Sequence, residues 1–440
     1  MEYLAAWMFL ALTILLMAGF PVTFTLLGTS LAFALMGPGI EFLDLLPLRI
    51  WGVMENVVLI AVPLFIFMGV TLERSGMAED LLETMGMLFG RVKGGLAISV
   101  VVVGALLGAS TGIVGATVVT MGLLAVPTMM RYGYQKELAT GTVAASGTLG
   151  QIIPPSVVLV LLGTIVQVPV GDLFIGAVLP GMVLVVLYII YIFILVSLKP
   201  HYGPPITLES AGMDLSQFAR RVVKALVPPL LLILAVLGSI FAGVASPTEA
   251  AAVGAVGSVV LAAMNRRFNM KMLREVMDAT TKLTCMVFII LVGAAAFGLV
   301  FRELDGDDLV RRFLSGIAET HTKWVVLAIV MGLIFLVGFV LDFIEITFIH
   351  VPVLAPIMIE FGFDPLWFCI LLAVNLQTSF LTPPFGFSLF YLKAVTPPGV
   401  QTGHIYRGII PFVILQLIGL VMVIFWPELA TWLPKIMYSN

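Results

Sequence analysis

The stretch GQIIPPSVVLVLLG, Gly150–Gly163, sets two adjacent prolines inside an apolar run, and FLTPPFGFSLFYL, Phe380–Leu392, does the same further along. A proline removes a backbone donor and disfavours helical geometry in the residue before it. Two in a row, near Gly150 in one copy and Gly386 in the other, open a non-helical turn. What that turn means depends on its solvent.

The solvent is lipid. Of 440 residues, 61% are hydrophobic and 11% charged, with a mean hydropathy of +1.16. Soluble domains carry about 25% charged residues. The runs Leu4–Met36, Gly171–Leu198 and Leu226–Ala263 exceed the ~20 residues that span a bilayer core. They lack strand-like alternation, and a helix satisfies its own backbone in hydrocarbon. The expected class is therefore an all-α integral membrane protein. Cys285 and Cys369 lie in apolar runs and read as packing residues. His201, His321, His350 and His404 have no zinc spacing. The start MEYLAAW lacks a basic n-region, so no cleavable signal peptide is expected. No Walker-type loop is present to power transport with ATP.

The prolines recur because the chain is duplicated. Shifted by 229 residues, VPTMMRYGYQK (Val126–Lys136) falls on APIMIEFGFDP (Ala355–Pro365), and Pro154-Pro155 falls on Pro383-Pro384. Upstream the shift becomes 226, where PVTFTLLGTSLAFALM from Pro21 resembles PTEAAAVGAVGSVVLAA from Pro247. Equivalent loops carry opposite charge: Arg131 and Lys136 in one half, Glu360 and Asp364 in the other. Lys and Arg favour the cytoplasmic side, so the repeat is inverted. Arg220, Arg221, Lys224 and the segment Asn265–Arg274 are expected to be cytoplasmic.

Each half reads as a Pro-interrupted helix pair (4–19 with 21–36; 226–243 with 247–264), a span (55–71; 282–300), a charged segment, an apolar hairpin (about 95–130; 324–359) and a helix broken at the double proline. The expected units are 1–71, an arm at 72–93, a first core repeat at 94–198, a linker at 199–225, a second helix set at 226–300, an arm at 301–323, and a second core repeat with a C-terminal helix at 324–440. The charged segments suit helical arms in the membrane interface or plain solvated connections.

Broken helices at matching places in inverted halves point to a midplane site. Freed carbonyls suit a small cation, and the following half-helix presents its positive end to an anion. Ser146, Thr148 and Gln151 precede the first break; Asn375, Gln377, Thr378, Ser379 and Thr382 precede the second. No Lys or Arg occurs between Lys136 and Lys199 or between Lys323 and Lys393. An anion there is met by dipoles, hydroxyls and bound cations, which favours a cation-coupled carrier. One charge crossing 100 mV yields about 2.3 kcal/mol.

Asp342 and Glu345, i and i+3 on one helix face with His350 beyond, are candidates for ion coupling, or solvated positions at a hairpin mouth. Glu249 suits a helix cap after Ser246-Pro247. Arg49 and Glu55 suit the membrane edge or a partner surface. GASTG (Gly108–Gly112) matches the G-x-S-x-G nucleophile pattern, and a membrane-embedded hydrolase on Ser110 is the competing class. That chemistry needs a strand-to-helix elbow with Asp and His partners, whereas small residues in an apolar hairpin allow close helix packing.

The run GASTGIVGATVVTMGLLAVPTMMRYGYQKELATGTVAASGTLGQIIPPS resembles a signature of the large membrane subunit of tripartite ATP-independent periplasmic (TRAP) transporters. ASPTEAAAVGA and LDFIEITFIHVPVLAPIMIEFGFDPLWFCILLAVNLQTSFLTPPFG resemble its others. The resemblance spans the chain and implies an elevator-type carrier, with two re-entrant hairpins and a transport domain sliding on a scaffold. It implies an inner-membrane importer of small organic acids with sodium, in a bacterium or archaeon. Its implied partners are a small four-helix membrane subunit and a periplasmic binding protein; a stand-alone sodium/carboxylate carrier is the alternative. No cofactor is implied, sodium being cargo. The resemblance puts one sodium site at Ser110, Thr111, Val114, Gly150, Ile153 and Pro155, and a second at Gly338, Ser379, Thr382 and Phe385. Substrate is implied near Thr148, Ser156, Asn375 and Gln377. The family often has Ser-Gly-Ser where this chain has Thr111-Gly112-Ile113, and glycine where it has Ser379. LDFIEITFIHVP resembles a branch associated with hydrophobic or 2-oxo monocarboxylates.

Overall fold

Apolar runs in lipid close their hydrogen bonds internally, so proline, glycine and capping residues decide where each rod stops. The computed structural model describes residues 3–90, 92–111, 114–205 and 215–438. The first half contains α1 (Leu4–Met17), α2 (Val22–Met36), α3 (Leu46–Met54), α4 (Ala61–Arg74), α5 (Met77–Leu88), α6 (Gly95–Thr111), α7 (Val114–Arg131), α8 (Lys136–Thr148), α9 (Val157–Val166) and α10 (Val170–Leu198). The second contains α11 (Leu215–Phe241), α12 (Pro247–Met264), α13 (Met270–Glu303), α14 (Gly306–Thr320), α15 (Lys323–Val337), α16 (Phe343–Ile349), α17 (Val351–Glu360), α18 (Pro365–Leu381), α19 (Phe387–Val395), α20 (Thr402–Phe425) and α21 (Glu428–Tyr438). No strand occurs among the described residues.

Local chemistry sets the starts. Ser246 opens α12 with a capping box: its N–H donates to Glu249 Oε2 at 2.8 Å, and the Glu249 N–H donates to Ser246 Oγ at 3.3 Å. Asn269 Oδ1 accepts the Met272 N–H before α13, and Asp364 Oδ1 accepts the Trp367 N–H before α18. Along α10, Val186, Ile190 and Phe193 are exposed, the face a lipid-solvated helix shows outward.

The 229-residue shift carries α5 onto α14, α6 onto α15, α8 onto α18, α9 onto α19 and α10 onto α20. Three departures stand out. Where the first half uses α3, a 3-10 turn at Val57–Ile60 and α4, the second has one 34-residue helix, α13. The expected span at 282–300 thus starts at Met270 and absorbs residues 270–274 of the basic loop. Pro47 and Pro63, with Asn56 accepting the Val58 N–H, punctuate the first copy; α13 holds no proline. Continuous α7 has as its counterpart α16 and α17, bent by 57°, because Pro352 disfavours helix just before it. Finally, α11 begins inside the segment expected as linker, and α4 and α13 run past the expected arm starts at 72 and 301. Cys369 is buried as expected, but Cys285 is exposed rather than packed.

Contacts reveal the inversion. Lys136, which opens α8, donates through Nζ to Gly399 O at 2.8 Å, in the loop that closes the broken crossing α18–α19. Reciprocally, Gly176 near the start of α10 lies against Leu366 at the start of α18. The two broken crossings therefore run in opposite directions. At the α8 end, the Gly94 N–H donates to Gly203 O and the Gln135 N–H to Tyr202 O. At the α18 end, Arg311 pairs with Glu360 at 3.0 Å and Trp324 packs on Phe363. Lys and Arg bias the α8 face towards the cytoplasm, and labelling tests that orientation. With the native cysteines replaced, Arg131→Cys should react with a membrane-impermeant maleimide only from the cytoplasmic side, and Glu360→Cys only from the other; labelling of both from one side contradicts the inversion.

Candidate functional site

Helix α8 has 13 residues and rises about 20 Å, short of a hydrocarbon core ~30 Å thick. Alone it is too short to cross. After it, Leu149 O accepts the N–H groups of Ile152 and Ile153 at 3.1 and 2.9 Å, and the chain passes Pro154-Pro155 before α9 resumes. The second break follows α18, where the Thr382 N–H donates to Ser379 O at 3.1 Å. Both Pro–Pro peptide bonds are cis. Equivalent carbonyls are tied equivalently: Gln151 O accepts Ser156 Oγ–H at 2.6 Å, and Phe380 O accepts Ser388 Oγ–H at 2.8 Å. Tyr406 donates its hydroxyl to Pro384 O at 3.0 Å. The carbonyls freed by the prolines are thus partly occupied in this conformation, each keeping one lone pair.

Each turn is met by a hairpin. A Cβ on Gly108, in the last turns of α6, would lie 2.6 Å from the Gly150 Cα and N; a Cβ on Gly338, just after α15, would lie 2.2 Å from Ser379 Oγ. Gly150 and Ser379 are counterparts at the 229 shift, so hairpin ends approach both breaks, against backbone at Gly150 and against the side chain at Ser379. Of the first expected cation set, this gathers Gly150 with the end of α6. Val114 opens α7 and is buried, Pro155 is buried and Ile153 is half-buried; the side chains of Ser110 and Thr111 lie outside the described residues. Of the second set, Gly338 and Ser379 touch. Thr382 Oγ1 donates to Thr378 O at 2.8 Å, and the Phe385 ring is exposed, 6.4 Å from Phe339.

The turns also meet each other. Gln377 Nε2 donates to Thr148 Oγ1 at 3.3 Å, and these residues are 229 apart. A residue that touches its own counterpart lies on the axis relating the halves, so both breaks share one depth. Asn375 and Ser156, expected beside them, brace their own halves instead: Asn375 Nδ2 donates to Met331 O at 2.9 Å, and Ser156 holds Gln151 O. All four are buried.

Three features were not assigned from sequence. The Gln151 side chain is fully buried, and among the described residues neither end of its amide, nor Gln377 Oε1, has a hydrogen-bond partner; a buried amide without a partner is costly. Thr120 Oγ1 of α7 donates to Glu73 Oε1 of α4 at 2.6 Å, and the signal was a carboxylate closing an apolar run. Asp342 and Glu345 do not share a helix face as expected. Asp342 is the N-cap of α16, and its N–H donates to Glu345 Oε2 at 3.0 Å. His350 packs edge-on to Phe9 of α1 at 5.2 Å. Arg49 and Glu55 are exposed on and just after α3.

Residues 9–429 match the family described as the tripartite ATP-independent periplasmic transporter, DctM component. The chain belongs to this family. The TRAP permease is 31% identical to the C4-dicarboxylate TRAP transporter large permease protein DctM of Pseudomonas aeruginosa, over 89% of each chain. It is 28% identical to the ectoine/5-hydroxyectoine TRAP transporter large permease protein UehC of Ruegeria pomeroyi, over 99% of this chain and 100% of that one. It is also 28% identical to the sialic acid TRAP transporter large permease protein SiaM of Vibrio cholerae, over 96% of each. Its fold resembles the crystal structure of the YdaH transporter of Alcanivorax borkumensis, with a TM-score of 0.63 at 16% identity over 89% of each chain. The permease is a multi-pass membrane protein and a transport subunit, not an enzyme. Ser110 accordingly lies in the last turn of helix α6, with no strand to form an elbow among the described residues.

Gly150→Val should wedge the hairpin end from the first turn at a cost of about 1–3 kcal/mol. Uptake by the assembled transporter should fall at least about tenfold while the protein elutes as a single species on size exclusion. Wild-type uptake would show that the contact is dispensable.

Proposed function

We propose that this TRAP permease imports small carboxylate-bearing solutes together with sodium ions across the inner membrane of a bacterium or archaeon. The solute arrives on a periplasmic binding protein, and the permease works beside a small four-helix membrane subunit. The observation that carries the reading is the matched approach of a hairpin end to each broken helix, Gly108 on Gly150 and Gly338 on Ser379. Cations bind where these backbones converge: at Ser110, Thr111, Val114, Gly150, Ile153 and Pro155 in one half, and at Gly338, Ser379, Thr382 and Phe385 in the other. Asp342, four residues after Gly338, and Glu345 place two carboxylates near the second site. The positive ends of α9 and α19 and the amides near the axis receive the substrate carboxylate.

Both hairpins are re-entrant in this reading, since each ends at a break that lies inside the bilayer. The hairpins and broken helices move as a body against α1, α2, α4 and α11–α13, and the Glu73–Thr120 hydrogen bond opens as they do. Relatives named for C4-dicarboxylates, ectoine and sialic acid stand at nearly equal identity. Their cargoes share a carboxylate, and that common group is what the permease recognises.

Proteoliposomes holding the permease, its small subunit and its binding protein should accumulate the solute only under an inward sodium gradient. Uptake indifferent to both sodium and membrane potential overturns the coupling. Undiminished uptake without the binding protein makes the permease a stand-alone carrier.

A further inference from the structure

A second site lies away from the axis, on the basic face. A cavity of about 320 Å³ opens between α5, α11 and α12, lined by the polar Asp80, Thr84, Arg221, Lys224 and Asn265. Apolar residues, among them Pro228, Leu261 and Met264, complete its lining. The volume is in the range of small-ligand clefts. Thr84 is fully buried in the lining, and its hydroxyl has no hydrogen-bond partner among the described residues. Arg221 is engaged by Glu83, whereas Lys224 has no ion-pair partner among the described residues. Arg267 adds a further cation, its Nε 3.5 Å from where a Cβ on Gly76 would sit, at the start of α5.

The duplication supplies a control. On the opposite face α14 occupies the place of α5, and there Asp80 is replaced by Leu309 and Thr84 by Phe313. The groove beside α14 is lined almost wholly by apolar residues, among them Phe9, Leu309, Phe313 and Leu314. The fold at this position does not require polar groups. The cytoplasmic copy carries them where phosphate headgroups lie.

We propose that this cavity is a binding site for one anionic phospholipid, its phosphodiester held by Lys224, Thr84 and Asn265 and its acyl chains lying along Pro228, Leu261 and Met264. Basic clefts between helices on the cytoplasmic side suit acidic headgroups. Asp80 tunes the site in the opposite sense, repelling the phosphate. A phosphate group alone has no use for the apolar wall, so the lipid is the occupant. The site owes nothing to the transport reading above.

The test is native mass spectrometry of the purified full chain after equilibration with dioleoyl phosphatidylglycerol or dioleoyl phosphatidylcholine, with and without excess inorganic phosphate. One phosphatidylglycerol should be retained in preference to phosphatidylcholine. Lys224→Gln should lower its retention about fivefold, Thr84→Val should lower it too, and Asp80→Asn should raise it. A misfolded variant cannot produce gain and loss together. Equal retention of both lipids, wild-type retention in Lys224→Gln, or complete displacement by phosphate would each overturn the proposal.

Discussion

A peptide group in hydrocarbon has no water to fall back on, and the architecture follows from how the chain meets that demand at the two points where it breaks the rule. The double prolines strip donors from the backbone of two apolar crossings. The structure answers by placing both breaks on one axis, shielding them behind hairpin ends, and tying Gln151 O and Phe380 O with serine hydroxyls. No position near the surface would need this enclosure. The same enclosure leaves the Gln151 side-chain amide and Gln377 Oε1 buried with no hydrogen-bond partner among the described residues.

Much of this was legible before any coordinates. The proline and glycine spacing at a constant shift located both breaks, and the opposite charges of the equivalent loops gave the inversion. Even the Thr148–Gln377 contact was latent in the 229-residue offset, since counterparts meet on a two-fold axis. What stayed hidden depended on partners distant in sequence or on cap geometry. Spacing put Asp342 and Glu345 on one face, but an i, i+3 acidic pair is equally the pattern of a capping box, and the turn after Gly338 decides between them. Cys285 sits in an apolar run yet lies on the outer surface of its helix, not in the core. The burial of Gln151 cannot be read from a residue that merely neighbours a proline.

The duplication also diverged where surroundings differ. α13 fused what the first half keeps as α3 and α4 once proline was absent. The arms α5 and α14 keep one position and opposite linings, polar on the basic face and apolar on the other. Backbone symmetry survives because packing conserves it, while side chains answer to the local medium.

Had the two halves been identical, viewing the protein from either side of the bilayer would show the same object, and its two resting poses would be degenerate. Thr148 confronting Gln377 on the axis, and glycine at 150 where the second half has serine at 379, lift that degeneracy.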